Sequence, residues 1–299
     1  MTTLLPHLHG IVPPVPTPLL SDGGVDIATL KSLIEFQLKS GVHGLWILGT
    51  TARFDLLPDR LWRTIAETAV ETSAGRVPMV VNISDLGTER TLKRGTMFDD
   101  LAYDYYAVLP PWYQVMTAAE LTDYFRKVAD EVSKPIVIYN APWINNQLTF
   151  AHLRKLAEHP RIVGCKDVTP EQGRATDWSE AERRRLNFSY LHGNDILATS
   201  IDLGSDGFVS SLANPFPELA VATWNAARGG DNDRAFRLQA QFLKLSRIAE
   251  FGPYLACLEA AFQHRGLLQR MLPSPLRSLD PESAKKVCDL VEKVGALPL

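Results

Sequence analysis

The chain is short of cysteine, of basic excess and of long apolar runs, and each shortage removes a class of protein. Only Cys165, Cys257 and Cys288 occur in 299 residues, with no CxxC spacing. They make neither a disulfide framework nor a zinc site, and they suit a reducing cytoplasm. No stretch reaches the roughly 18 apolar residues of a membrane span, and Met1 to Gly10 has neither the basic nor the apolar region of a secretory signal. A net charge of −3 without a dense basic run leaves no electrostatic footprint for nucleic acid. The glycine fingerprints of dinucleotide and P-loop sites are absent. Seven histidines contain no HExxH, and their one HxH, His7 and His9, lies in the leading segment, so no metal is expected.

What the chain has is alternation. With 45% hydrophobic and 22% charged residues it fills a globular core, and disorder is excluded. Short β-branched and aromatic runs recur at Ile11–Val15, Gly44–Gly49, Met79–Ile83, Tyr105–Leu109, Pro135–Tyr139, Ile162–Lys166, Phe188–Leu191 and Gly207–Ser211. Helical periods separate them, among them Ile27–Ser40, Asp59–Ser73, Thr91–Leu101, Ala118–Val132 and Phe150–His159. Thr117, Thr149 and Pro217 supply helix-start signals. Repeated βα units imply a parallel sheet, and eight of them over about 230 residues fit an α/β fold of the (β/α)8 TIM-barrel type. The expected organisation is a barrel over residues 1–234 with a C-terminal helical extension, 235–299, packed on it as one structural unit.

In such barrels the site lies at the C-terminal strand ends. Ten of the eleven lysines fall in helical or connecting segments, whereas Lys166 ends a strand buried on both faces. A buried unpaired ammonium is costly and tends to become a neutral amine, the nucleophile of Schiff-base chemistry. The competing reading is a structural ion pair with Asp167 or another carboxylate. Tyr139 ends the preceding strand and could relay a proton, or simply pack as a rim aromatic. Thr50 and Thr51 open the loop after the second strand and could hold a carboxylate, although Thr-Thr is also an ordinary strand end.

Together these residues resemble the dihydrodipicolinate synthase/N-acetylneuraminate lyase family of class I, Schiff-base aldolases. The likeness rests on Val15-Pro16-Thr17-Pro18, Gly49-Thr50-Thr51, Pro111-Trp112-Tyr113, Tyr139-Asn140-Ala141-Pro142, Gly164-Cys165-Lys166-Asp167 and Gly207-Phe208-Val209-Ser210. It implies that Lys166 forms an imine with the 2-oxo carbon of pyruvate or a related acid, with no metal or organic cofactor. It implies Tyr139 as acid/base, Thr50 and Thr51 on the pyruvate carboxylate, and Thr50 also in the proton relay. Tyr113 would reach the neighbouring subunit's site in a homodimer or homotetramer, and the carbonyl of Val209 would touch substrate.

The departures bear on the second substrate, an aldehyde or sugar acid. Ala52 and Arg53 replace the family's usual Gly-Glu after Gly-Thr-Thr; a methyl should restrict that turn, and the local charge is reversed. Arg53 could clamp a distal carboxylate, or be a structural or solvated arginine, which is the commoner fate. Ile144 stands where true dihydrodipicolinate synthases carry an arginine. The run Gly193-Asn194-Asp195-Ile196 keeps part of the sugar-binding pattern of sialic acid lyases. Trp112 and Trp143 could line the mouth or pack in an interface. Pocket-facing candidates for specificity are Arg53, Trp143, Asn145, Asn146, Asp195 and Ser211. The expected activity is aldol cleavage or condensation; dehydration of a sugar-derived acid, true 4-hydroxy-tetrahydrodipicolinate synthesis and a non-catalytic 2-oxo acid binder are the alternatives.

Overall fold

A computed structural model describes residues 7–169 and 176–295. Residues 1–6, read above for a signal, and 296–299, the end of the expected extension, lie outside the described residues. Eight strands form one parallel sheet: β1 (Gly10–Ile11), β2 (Leu45–Ile47), β3 (Met79–Asn82), β4 (Tyr105–Val108), β5 (Ile136–Asn140), β6 (Ile162–Asp167), β7 (Ser189–His192) and β8 (Gly207–Phe208). Neighbours follow sequence order from β2 to β8, and β8 then pairs with β1. Regular pairing of the first strand stops at Ile11 because Pro13, Pro14 and Pro16 bring no N–H donor. The ring is nevertheless closed, since Trp46 donates to the carbonyl of Pro13 and accepts from the amide of Val15. The outcome is the expected (β/α)8 barrel, with every strand residue buried.

Helices form where the caps and apolar stripes ask for them. The helix α1 (Ile27–Lys39) starts on Asp26, whose carboxylate accepts from the amide of Thr29, and buries Leu30, Leu33, Ile34 and Gln37. It is followed by α2 (Asp59–Ser73) and α3 (Thr88–Thr96). The third helix begins three residues before the expected Thr91, with Gly87 as its N-cap, and gives way to turns before Leu101. Reciprocal capping boxes open α4 (Ala118–Glu131) at Thr117 and α5 (Phe150–Leu156) at Thr149. Two six-residue helices, α6 (Glu180–Arg185) and α7 (Leu197–Asp202), precede α8 (Pro217–Arg228), which has Pro217 in its first turn. The last three are α9 (Asn232–Ser246), α10 (Tyr254–His264) and α11 (Pro281–Gly295). Their buried residues, such as Phe242, Leu258 and Val287, belong to the same continuous apolar cluster as the strands. Among the described residues, no helix is long and apolar enough to cross a membrane.

Candidate active site

The sixth strand decides the site. Residues alternate between the two faces of a strand, so Lys166 and Asp167 point apart. Asp167 accepts from Tyr190 Oη at 2.7 Å, from the Thr169 amide at 3.1 Å and from Asn140 Nδ2 at 3.2 Å. It therefore does not pair with Lys166, and among the described residues the structural ion-pair reading fails. Lys166 is 5% exposed and has no carboxylate within ion-pair distance among the described residues. Burial alone pulls its ammonium down to a pKa of about 7. Tyr139 lies directly across from it in the ladder, with Nζ 3.9 Å from the centre of the phenol ring; Trp46, fully buried, flanks the amine at 5.4 Å. Gly193 is needed here, since a Cβ at that position would lie 2.5 Å from Val168 and 3.2 Å from Lys166 Cε.

Thr50 and Thr51 sit on a single short turn, residues 50–52, directly after β2. Thr50 Oγ1 is 3.2 Å from the Tyr139 hydroxyl, and Thr51 Oγ1 is 2.5 Å from Ser211 Oγ. Burial raises the Tyr139 phenol above the ordinary tyrosine range, with the Thr50 hydrogen bond acting against it. Across the opening, Asp195 accepts from Ser210 Oγ at 2.6 Å, and burial pushes its carboxyl up to about 6. These groups surround a cavity of about 450 Å³ that Arg53, Trp143 and Val209 also line. Tyr254, at the start of α10, lines it too. Sequence reading missed Tyr254 and Trp46. For Tyr254 no local signal exists, because only the packing of the C-terminal helices brings it to the strand ends.

Several expectations need correction. Ala52 fits its turn without hindrance and is fully buried; the left-handed residue is its neighbour Arg53, at φ 56° and ψ 45°. Asn145 and Asn146 do not face the cavity but fasten the loop after β4. Asn145 Nδ2 donates to the carbonyl of Tyr113 at 2.8 Å. Asn146 donates to the carbonyls of Pro111 and Gln114 and accepts from the Met116 amide. That loop carries Tyr113 at 78% exposure, outside the cavity of its own chain and beside the exposed Val115. Trp112 packs edge-on against Phe54, with ring centres 5.7 Å apart, and lines a side cavity of about 240 Å³.

Fold and site together define an enzyme of the barrel class that works at the C-terminal strand ends. The chain belongs to the dihydrodipicolinate synthetase family, whose sequence profile it matches over residues 7–294. It is a lyase of that family. It is similar to an uncharacterized DapA-like lyase of Halobacterium salinarum, with 31% identity over 92% of this chain and 90% of that protein. It is 30% identical, over 97% of this chain and 98% of the relative, to the protein of Escherichia coli K12 named probable 2-dehydro-3-deoxy-D-pentonate aldolase. Among solved structures, the prophage protein YagE of E. coli K12, crystallised in complex with pyruvate, superposes with a TM-score of 0.91 at 27% identity, covering 97% of this chain and 99% of that one.

Proposed function

We propose that this lyase makes or breaks the carbon–carbon bond between the α-carbon (C3) of pyruvate, or of another 2-oxo acid, and C4, through an imine on Lys166, with no metal or organic cofactor. The observation that carries the reading is the Lys166 amine: buried, unpaired among the described residues, and facing an open cavity beside a phenol. At a pKa of about 7 near half the amine is neutral in a neutral solution, where an ordinary lysine is almost wholly protonated. The neutral nitrogen attacks the 2-oxo carbon, the carbinolamine loses water, and the protonated imine accepts the electron pair of the C3–C4 bond as the C4 hydroxyl gives up its proton and that fragment leaves as an aldehyde. The resulting enamine is protonated, and water returns the product and the amine.

Tyr139 is the acid/base of these proton transfers, coupled to the Thr50 hydroxyl at 3.2 Å. Thr50 and Thr51 hold the 2-oxo acid's carboxylate through their hydroxyls and the free amides of their turn. The Val209 carbonyl, Asp195 and Ser211 contact the remainder of the substrate. Tyr113 acts in the cavity of a second copy, which makes the working enzyme a homodimer or homotetramer. Its exposure on the loop held by Asn145 and Asn146 supports that role. Three cysteines without a disulfide among the described residues support a cytoplasmic setting.

The test is borohydride reduction in the presence of pyruvate, followed by peptide mass spectrometry. We expect a reduced pyruvyl adduct on Lys166 that is absent from Lys166→Ala. Failure to trap pyruvate or any of a panel of 2-oxo acids would remove imine chemistry. An adduct that forms without turnover of any aldehyde or sugar acid would favour a non-catalytic binder.

A further inference from the structure

The side cavity next to the catalytic one has Arg53 on its boundary. Its other walls are the apolar Phe54, Leu109, Trp112, Trp143 and Ile144, with Thr50 at the border and Asp55, the partner of the guanidinium, beside it. Thr50, Arg53 and Trp143 belong to both cavities, so the guanidinium stands where a substrate held on Lys166 would extend away from its imine. From these positions we infer, resting on the imine reading above, that Arg53 holds a carboxylate at the far end of the aldehyde half, so that the full substrate is a 2-oxo diacid.

Three observations converge on this. The guanidinium is 20% exposed on its side chain, yet Asp55 is its one hydrogen-bond partner among the described residues, met at 2.5 Å through Nη2. Its Nε is buried without an acceptor among the described residues, and Nη1, which is not buried, has no protein partner there, so the guanidinium can take a further anion. Arg53 also adopts a left-handed backbone, which disfavours residues with a side chain and persists where surrounding structure fixes it. That backbone turns the side chain from the β2 loop into the space Ile144 borders from the β5 loop. A carboxylate matches the planar fork of a guanidinium.

The experiment compares two three-carbon acceptors for condensation with pyruvate: 2-hydroxy-3-oxopropanoate, which ends in a carboxylate, and glyceraldehyde, which ends in a hydroxymethyl group. The wild-type enzyme should favour the carboxylated acceptor by roughly 10- to 100-fold in kcat/KM, the range of one charge-assisted contact. Arg53→Met should bring that ratio to about unity, and Arg53→Lys should retain part of it. Asp55→Asn frees the guanidinium from its internal competitor and should raise the ratio. If the pair merely braces the loop, Arg53→Met and Asp55→Asn shift the ratio in the same direction, and the assignment is overturned. A wild-type ratio near unity overturns it as well. Borohydride trapping of pyruvate on the wild-type enzyme separates the two levels of failure. An adduct without discrimination overturns only the Arg53 assignment, whereas absence of the adduct overturns the imine reading and this inference with it.

Discussion

At the scale of single residues, the site trades stability for reactivity. Lys166 is charged in the unfolded chain up to a pH near 10.5 but loses its proton at about 7 when folded. Between these values the unfolded state binds more protons, so this group's contribution to stability rises with pH. Below about 7 the full cost of burying the ammonium is present. Lys166→Met removes that cost. We expect the variant to melt several degrees above the wild type at pH 6, with the gap closing as pH approaches 10, as read by calorimetry. An equal gap at every pH would mean that the amine is not desolvated. Lys166 itself was legible in the sequence because a lysine at the end of a wholly apolar strand has few structural explanations. Arg53 was legible only as a departure from a pattern, since its left-handed backbone and idle donors belong to the folded loop.

At the scale of elements, the loops matter more than the strands. The two asparagines after β5 are used to hold the loop after β4, and Asn146 is 3% exposed with three hydrogen bonds into it. Asn146→Ala leaves two carbonyls and an amide without their partner and should cost about 1–3 kcal/mol by urea titration. It should also lower kcat, because Tyr113 rides on that loop; unchanged kcat would detach the loop from catalysis. All eight strands could be read from the sequence, since a parallel strand buried on both faces is a nearly continuous apolar run. Their ends were less legible. The first strand lost regular pairing to Pro13 and Pro14, and the eighth ends where Ser210 caps a short turn over residues 211–213. Asn145 and Asn146 were misplaced because a polar side chain near a cavity can bond inward or to a neighbouring loop, and sequence carries no preference between the two.

At the scale of the whole molecule, the role proposed for Tyr113 needs a second copy. Tyr113 and Val115 stand exposed together at 78% and 72% on a well-tied loop, and Tyr113 does not reach the cavity of its own chain. If Tyr113 completes a neighbour's site, two inactive variants should repair one another. Lys166→Ala lacks the amine but offers Tyr113, while Tyr113→Phe lacks the phenol but offers Lys166. Co-refolding equal amounts should restore up to about a quarter of wild-type activity, the fraction of sites in a random dimer population with both groups intact. A mixture no more active than its components would assign Tyr113 a role within its own chain, or none.

The sequence by itself determined the barrel, its family and the strand-end residues Lys166, Tyr139, Thr50 and Thr51. The barrel and Lys166 follow from local chemistry, apolar runs that must be buried on both faces and a polar group placed at the end of one; the family, and with it Tyr139, Thr50 and Thr51, follows from the resemblance of the strand-end motifs. Only the tertiary structure decided that Asp167 is taken up by Tyr190 and Asn140, that Arg53 stands between two cavities, and that Tyr254 enters the site from the C-terminal helices. Those relations join segments far apart in the chain. They are set by strand register, by barrel closure at Trp46, and by how the last helices pack on the core, none of which is encoded in any one stretch of residues.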